Sequence, residues 1–234
     1  MSVLAIIPAA GSGLRMGGST PKQFLYLEGV PIFVHTLRKF AASEVIGEIF
    51  LAVRPEEMER ASREIATERF AKNLRLVAGG ASRQETVARC LDEAPPETEV
   101  VVVHDAVRPF IDLAKIREVV DAARKDGAAI LGIPSVDTVK KVERQTILGT
   151  IPRERIVLAQ TPQAFRYALL RQAFDRALAE GYGGTDESSL VEHEGHPVTV
   201  LMGSDRNIKI TKPSDLPLAR LYIAQERELI RDDA

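Results

Sequence analysis

The sequence has a single cysteine, Cys90, which excludes an intramolecular disulfide and any cysteine-rich zinc site. Cys90 falls in a predicted helix, where a packed thiol is expected. A net charge of -2 at neutral pH leaves no basic excess of the kind that general nucleic-acid binding shows. No apolar run approaches the ~18 residues of a membrane span, and no basic stretch near the start leads into an apolar one, so membrane and secreted readings fall away and the cytoplasm is expected. Two phosphate-binding patterns are missing as well. There is no Gly-x-x-x-x-Gly-Lys-Ser/Thr, and Gly11-Ser-Gly13-Leu-Arg-Met16 lacks the third glycine of a dinucleotide fingerprint. The apolar strand Ile49 to Val53 ends in Arg54-Pro55 instead of the acidic residue that would hold a ribose. Nicotinamide and flavin roles are therefore not expected.

What is present is a chain of 234 residues, 45% hydrophobic with both charge signs interspersed, which suits one α/β domain over 1–234. The apolar run Val3 to Ile7 reads as a strand buried on both faces. After it, Ala9, Ala10, Gly11 and Gly13 carry so little side-chain bulk that backbone N–H groups can approach a phosphate closely. Arg15 and Lys22 add a guanidinium fork and a point charge to the same place, which together describe a site for a polyanion such as a nucleoside triphosphate. The stretch resembles the signature of the nucleotidyltransferases that activate sugars and alditols, whose positions are filled here by Ala9, Ala10, Gly11, Gly13, Arg15, Met16, Pro21 and Lys22.

Along the chain, Ile32, Phe33, Leu37 and Phe40 behind Pro31 predict a helix to Ala42, in which His35 reads as a packing or surface residue. A strand at Ile49 to Val53, a charged helix from Glu56 and a strand at Leu74 to Val77 repeat the βα unit of a parallel sheet. Gly79-Gly80-Ala81-Ser82-Arg83-Gln84-Glu85-Thr86 then opens a helix with Ser82 as its N-cap. It is either an ordinary capped helix start or a loop whose outward amides, with Arg83 and Thr86, hold a base edge and its ribose. Its place at the carboxyl end of a strand favours the second. The strand Val100 to Val103 runs into His104-Asp105-Ala106-Val107-Arg108-Pro109. A carboxylate at the end of so apolar a strand needs a positive partner, and a magnesium ion or another divalent cation carried in by the triphosphate would serve; the alternative is that Asp105 merely caps the next helix, for which Asp112 is a second candidate. A helix from Asp112 to Lys125 and a strand at Ala128 to Ile133 are read as completing the parallel set.

The Gly-Gly-x-x-Arg-x-x-Thr run and Val-His-Asp-Ala-x-Arg-Pro resemble the 2-C-methyl-D-erythritol 4-phosphate cytidylyltransferase family, which joins CTP to an alditol phosphate and releases pyrophosphate. Thr86 stands where many members have serine, and the hydroxyl is kept. The likeness continues through Asp137-Thr138, Arg153, Gln160-Thr161-Pro162-Gln163, Thr185-Asp186-Glu187 and Arg206-Asn207-Ile208-Lys209. It implies a Rossmann-like three-layer α/β domain with a mostly parallel central sheet. It also implies Arg15, Lys22, Arg153 and Lys209 in catalysis. Ala9, Ala10, Gly11, Gly13, Gly80, Ala81, Ser82, Arg83, Thr86, Asp105 and Ala106 would lie on CTP, and Arg108, Thr138, Arg153, Thr161, Thr185 and Lys209 on the acceptor, with Asp105 on the metal. Two other readings stay open: a cytidylyltransferase for another polyol phosphate such as ribitol 5-phosphate, and a nucleotide-binding regulatory protein without turnover.

Val136 to Val142 and Ile147 to Ile151, joined by a polar turn, predict a β-hairpin arm within 136–155 that has too few large apolar residues to bury itself. A second copy of the same hairpin would stabilise it, hence an expected homodimer through the arm, of a kind the family is known for. The last helix, from Ser214 to about Ile230, is amphipathic and is expected to pack on the sheet.

Overall fold

The computed structural model describes residues 2–11 and 20–232. The chain runs β1 (Ser2–Pro8), β2 (Tyr26–Leu27), β3 (Val30–Pro31), α1 (Ile32–Ala42), β4 (Glu48–Val53), α2 (Met58–Ala66), β5 (Asn73–Ala78), α3 (Arg83–Asp92), β6 (Thr98–Val103), α4 (Leu113–Asp126), β7 (Ala128–Pro134), β8 (Val139–Glu143), β9 (Thr146–Ile151), β10 (Val157–Arg166), α5 (Tyr167–Glu180), α6 (Glu187–His193), β11 (Thr199–Met202) and α7 (Leu216–Asp232). Seven strands form one sheet in the order β11-β7-β10-β6-β1-β4-β5.

The strands alternate their side chains between two cores, which is why Val3–Ile7 of β1 and Val100–Val103 of β6 are apolar without a break. Val3, Ala5 and Ile7 of β1 and Val100 and Val102 of β6 face one layer with Phe33, Leu37 and Phe40 of α1, Ala61 of α2 and Val119 of α4. Leu4, Ile6, Val101 and Val103 face the other, with Val87 and Leu91 of α3, Phe174 of α5 and Leu190 of α6. Helices on both faces of a mostly parallel sheet make the three-layer α/β fold. Cys90 lies in the second layer, where burial pushes its thiol up to about 12 and leaves it inert.

Three local readings need correction. First, β7 does not extend an unbroken parallel set: β10 runs between β6 and β7, antiparallel to both. Pro162 within β10 removes a ladder donor, and the ladder accommodates it by shifting register between Gln160 and Gln163. Second, the helix predicted from Glu56 begins as a 3-10 turn at Pro55–Glu57 and becomes α-helical only at Met58. Third, α7 leaves the main sheet alone. Its Ala219 and Ile223 join Leu27, Ile32, Val107, Phe110 and Ile210 in a separate cluster beneath the small β2–β3 pair.

The arm is a two-stranded ribbon, β8 with β9, turning through Arg144 and Gln145, both at positive φ. Val142, Ile147 and Leu148 on it are more than half exposed, so a single chain leaves its apolar side chains in water.

Since β1, β4, β5 and β6 are parallel, their carboxyl ends lie along one edge, and the loops that follow them share one opening. On the far edge, α4 closes on Gly127 at φ +95°, where an added Cβ would lie 2.9 Å from His196 Cε1. Gly127→Ala should therefore cost about 1–2 kcal/mol and lower the unfolding midpoint by several degrees, measured by thermal denaturation.

Candidate active site

The loops after β1, β4, β5 and β6, together with Lys22 and Lys209, line a cleft of about 500 Å³. Ala9, Ala10, Gly11, Lys22, Gly80, Ala81, Ser82, Arg83, Thr86, Asp105, Ala106 and Lys209 all face it. Gly13 and Arg15 lie outside the described residues. Arg108 and Thr161 stand behind the cleft as partners of Asp105, and Thr185 lies beside Arg83 on its flank. Thr138 and Arg153 are exposed at the root of the arm and do not line the cleft; Arg153 Nη1 donates to Val136 O at 2.9 Å.

The first loop is held by residues on either side of it. Ala9 N donates to Ala52 O at 2.7 Å, extending the β1–β4 ladder past the strand end. Gln23, only 2% exposed, donates from Nε2 to Ala9 O at 2.5 Å and to Gly11 O at 3.1 Å. One side chain thereby holds both carbonyls of the loop. Sequence reading passed over Gln23, although it directly follows Lys22 of the signature.

The second loop differs from its expected form. Ser82 does cap α3, its Oγ accepting from Glu85 N at 3.0 Å. The amides of Gly80 and Ala81, however, do not simply point outward. Gly80 N donates to Thr86 Oγ1 at 3.1 Å and Ala81 N to Glu85 Oε2 at 2.8 Å. Unpaired N–H groups at a helix start are satisfied by whatever acceptors lie nearest, and here α3 supplies them. Thr86 in turn donates its hydroxyl proton to Ser82 O.

Asp105 was expected to need one positive partner, and the chain itself provides three. Its carboxylate meets Lys209 Nζ at 2.9 Å, Arg108 Nε at 3.3 Å and Arg83 Nη1 at 3.4 Å. Burial alone would raise its pKa, but Arg83, Lys209 and Arg108 hold it well below the usual carboxylate range. Arg83 also reaches Glu187 at 2.8 Å, a carboxylate at the start of α6 that is 2% exposed and whose pKa burial raises against the pull of Arg83. Glu187 belonged to the Thr-Asp-Glu match, but nothing local marks it as an Arg83 partner.

Behind Asp105 lies a closed chain of hydrogen bonds. His104 Nε2 is 2.9 Å from Arg108 O, and a carbonyl only accepts, so Nε2 carries the proton. Neutral Nδ1 then accepts from the Thr161 hydroxyl at 3.1 Å, and the same hydroxyl oxygen accepts from Asp105 N at 3.0 Å. Thr36 Oγ1 donates to Ala106 O at 2.9 Å, Arg108 Nη1 to Asn207 O at 2.7 Å and Ile210 N to Val107 O at 2.9 Å. The loop that presents Asp105 is thus pinned from α1, β10 and the segment before α7. Complete burial lowers the His104 imidazole to about 4, which keeps it neutral.

The model of the family described as 2-C-methyl-D-erythritol 4-phosphate cytidylyltransferase matches residues 3–225. The chain belongs to that family. A cytidylyltransferase of that name from Solibacter usitatus is 53% identical over 97% of both chains, and one from Acidobacterium capsulatum is 51% identical over 96% of this chain and 98% of its own. Among solved structures, 4-diphosphocytidyl-2C-methyl-D-erythritol synthase from Anaerococcus prevotii superposes with a TM-score of 0.84 at 31% identity, covering 95% of this chain and 96% of its own. The cytidylyltransferase from Thermus thermophilus gives 0.77 at 35% identity, with 95% and 98% covered.

In this cytidylyltransferase-family chain, neutral His104 has a measurable consequence. An unfolded histidine titrates near 6.5 and the folded one near 4, so its contribution is complete above 6.5 and is lost as pH falls toward 4. Between pH 7 and pH 5 this removes about 2 kcal/mol of stability. Asp105 acts in the same direction only below the ordinary carboxylate value of 3.8, and Glu187 acts in the opposite one. Urea unfolding at both pH values should show the loss in the wild type, and His104→Gln should remove it.

Proposed function

We propose that this chain transfers CMP from CTP to 2-C-methyl-D-erythritol 4-phosphate, giving 4-diphosphocytidyl-2-C-methyl-D-erythritol and pyrophosphate in the non-mevalonate isoprenoid pathway, in the cytoplasm. The observation that carries the reading is the gathering of Arg83, Arg108 and Lys209 on Asp105 in a cleft that two glycine loops also line. That is the equipment for phosphates, in a member of a cytidylyltransferase family.

The 4-phosphate attacks the α-phosphorus of CTP in line and expels pyrophosphate. A phosphate monoester has a second pKa of about 6, so the nucleophile is already largely dianionic at neutral pH and needs no general base. The site agrees: His104, next to Asp105, is sealed off and spends both ring nitrogens on internal bonds. Catalysis is then positioning plus charge stabilisation. Lys22, on the turn after the first loop, meets charge growing on the phosphates, together with Arg15. Lys209 aims the incoming phosphate and takes its orientation from Asp105.

A divalent cation fits this donor set in one way. Magnesium is commonly held by one or two carboxylates with substrate phosphates filling the remaining positions, and Asp105 is the one acid among the described residues lining the cleft. Asp105 would hold the ion, which when bound neutralises charge on the triphosphate oxygens. Its low pKa keeps it available as an anionic ligand.

Pyrophosphate release from CTP should require the erythritol phosphate and be far slower with ribitol 5-phosphate or with no acceptor. In the same assay Lys22→Ala should lower kcat roughly a hundredfold, by analogy with removing one oxyanion donor. Equal turnover with either acceptor would reassign the substrate, and near-normal kcat in the variant would remove Lys22 from the chemistry.

The arm supports a homodimer. Val142, Ile147 and Leu148 are exposed on one ribbon that cannot bury them itself, with Val136 exposed just ahead of it, and a second ribbon related by a two-fold axis can cover them. Thr138 and Arg153 ride on that arm and do not line their own cleft, so their role toward the acceptor requires that the arm reach the cleft of the second copy. Deleting 143–146 should convert dimer to monomer in sedimentation at micromolar concentration and raise the acceptor KM; a wild-type monomer would refute the arrangement.

A further inference from the structure

Arg54 follows β4 directly and lines the cleft with Ala9, Ala10 and Gly80. Its two preceding residues anchor both glycine loops: Ala52 O accepts from Ala9 N and Val53 O from Gly79 N, each at 2.7 Å. The loops touch at this point, since a Cβ on Gly79 would lie 2.5 Å from Ala10 Cβ and 3.2 Å from both Thr86 Oγ1 and Val53 O. Arg54 therefore stands on the β4 side of the slot where the loops meet, one strand away from β1 and two from Asp105 at the end of β6.

The two sides of the cleft differ in charge. At the β6 side three cations crowd Asp105, which suits phosphates. At the β4 side the Arg54 guanidinium is matched by two carboxylates, Glu56 Oε1 at 3.1 Å from Nη1 and Glu57 Oε1 at 4.0 Å from Nη2. Arg60 Nη1 also reaches Glu57 Oε2 at 3.7 Å, so the cluster balances its charges and, unlike the β6 side, suits a neutral ring better than a triphosphate. The acids also steady the fork, which is one-third exposed, while its Nε is buried without an acceptor.

We propose that Arg54 reads the pyrimidine ring of the nucleotide, donating to its O2 and N3 edge, and so helps this chain choose cytosine over uracil. The reading rests on CTP being the donor substrate. A guanidinium offers donors only and does not lose its proton. Cytosine presents acceptors at both O2 and N3, whereas uracil carries a hydrogen on N3 and would leave an arginine N–H facing another N–H. Arg54 was visible in the sequence only as the residue that disqualified a ribose-binding acid; the fold places it in the cleft.

The test compares Arg54→Met and Arg54→Lys with the wild type, by calorimetric binding of CTP and of UTP without acceptor and by steady-state kinetics with the erythritol phosphate. In Arg54→Met the preference for CTP over UTP should fall about tenfold, both in Kd and in kcat/KM, while the acceptor KM moves by less than about twofold. Arg54→Lys keeps a cation beside Glu56 and Glu57 but loses the planar fork, and should fall between the two; it serves should the methionine variant unfold. An unchanged CTP-to-UTP ratio overturns the proposal. So does an equal weakening of both nucleotides, which would place Arg54 on the ribose or the phosphates. Binding preference without any CMP transfer by the wild type would instead defeat the proposed reaction and leave the assignment of Arg54 standing.

Discussion

A carboxylate at the end of a central strand is the constraint to which the rest of this molecule answers. Removing Asp105 from water costs several kcal/mol unless opposite charge is brought to it, and that charge comes from three separate places. Arg83 arrives from the first turn of α3, Arg108 from the loop after β6 and Lys209 from the segment ahead of α7. The same contacts that make the carboxylate tolerable also fix where its cations point. In one cluster, the start of α3, the loop after β6 and the segment ahead of α7 are tied to each other.

The cluster is held from behind as firmly as from the front. His104 sits against Phe40 at 4.9 Å between ring centres and is fully buried, with every polar atom of its ring used. Asn207, 1% exposed, accepts from Arg108 and donates to Thr161 O at 2.8 Å. Such a backing means that little reorganisation is needed when charge develops in front of it, which is the condition under which fixed dipoles and cations stabilise a transition state most.

Charge is also graded along the cleft. The β6 side gathers Arg83, Arg108 and Lys209 against Asp105 and Glu187, and the β4 side balances Arg54 and Arg60 against Glu56 and Glu57. The arm stands apart from this opening, and its exposed apolar residues take no part in the core of its own chain.

Local sequence determined those features whose cause is local. The apolar runs that became β1, β4 and β6 had to be buried on both faces, and Ser82 and Asp112 cap the helices they precede because each side-chain oxygen lies within reach of the next free amides. The hairpin was legible for the same reason, as two runs around a polar turn. Ala9, Ala10, Gly11 and Lys22 of the signature do line the cleft, and they stood out in the sequence because small residues and fixed cations carry their chemistry in their identity. Only tertiary structure decided which strands are neighbours. That β10 lies between β6 and β7 depends on packing across the whole sheet, and it is what brings Thr161 beneath Asp105. The partners of charged groups were equally hidden: Arg83 and Glu187 are 104 positions apart, and no periodicity connects them. The amides of Gly80 and Ala81 were claimed by Thr86 and Glu85, and Arg54 entered the cleft, through geometry that forms only once the loops have closed on one another. Secondary structure and motif chemistry follow from neighbours along the chain, whereas the electrostatics of a buried site follow from neighbours in space.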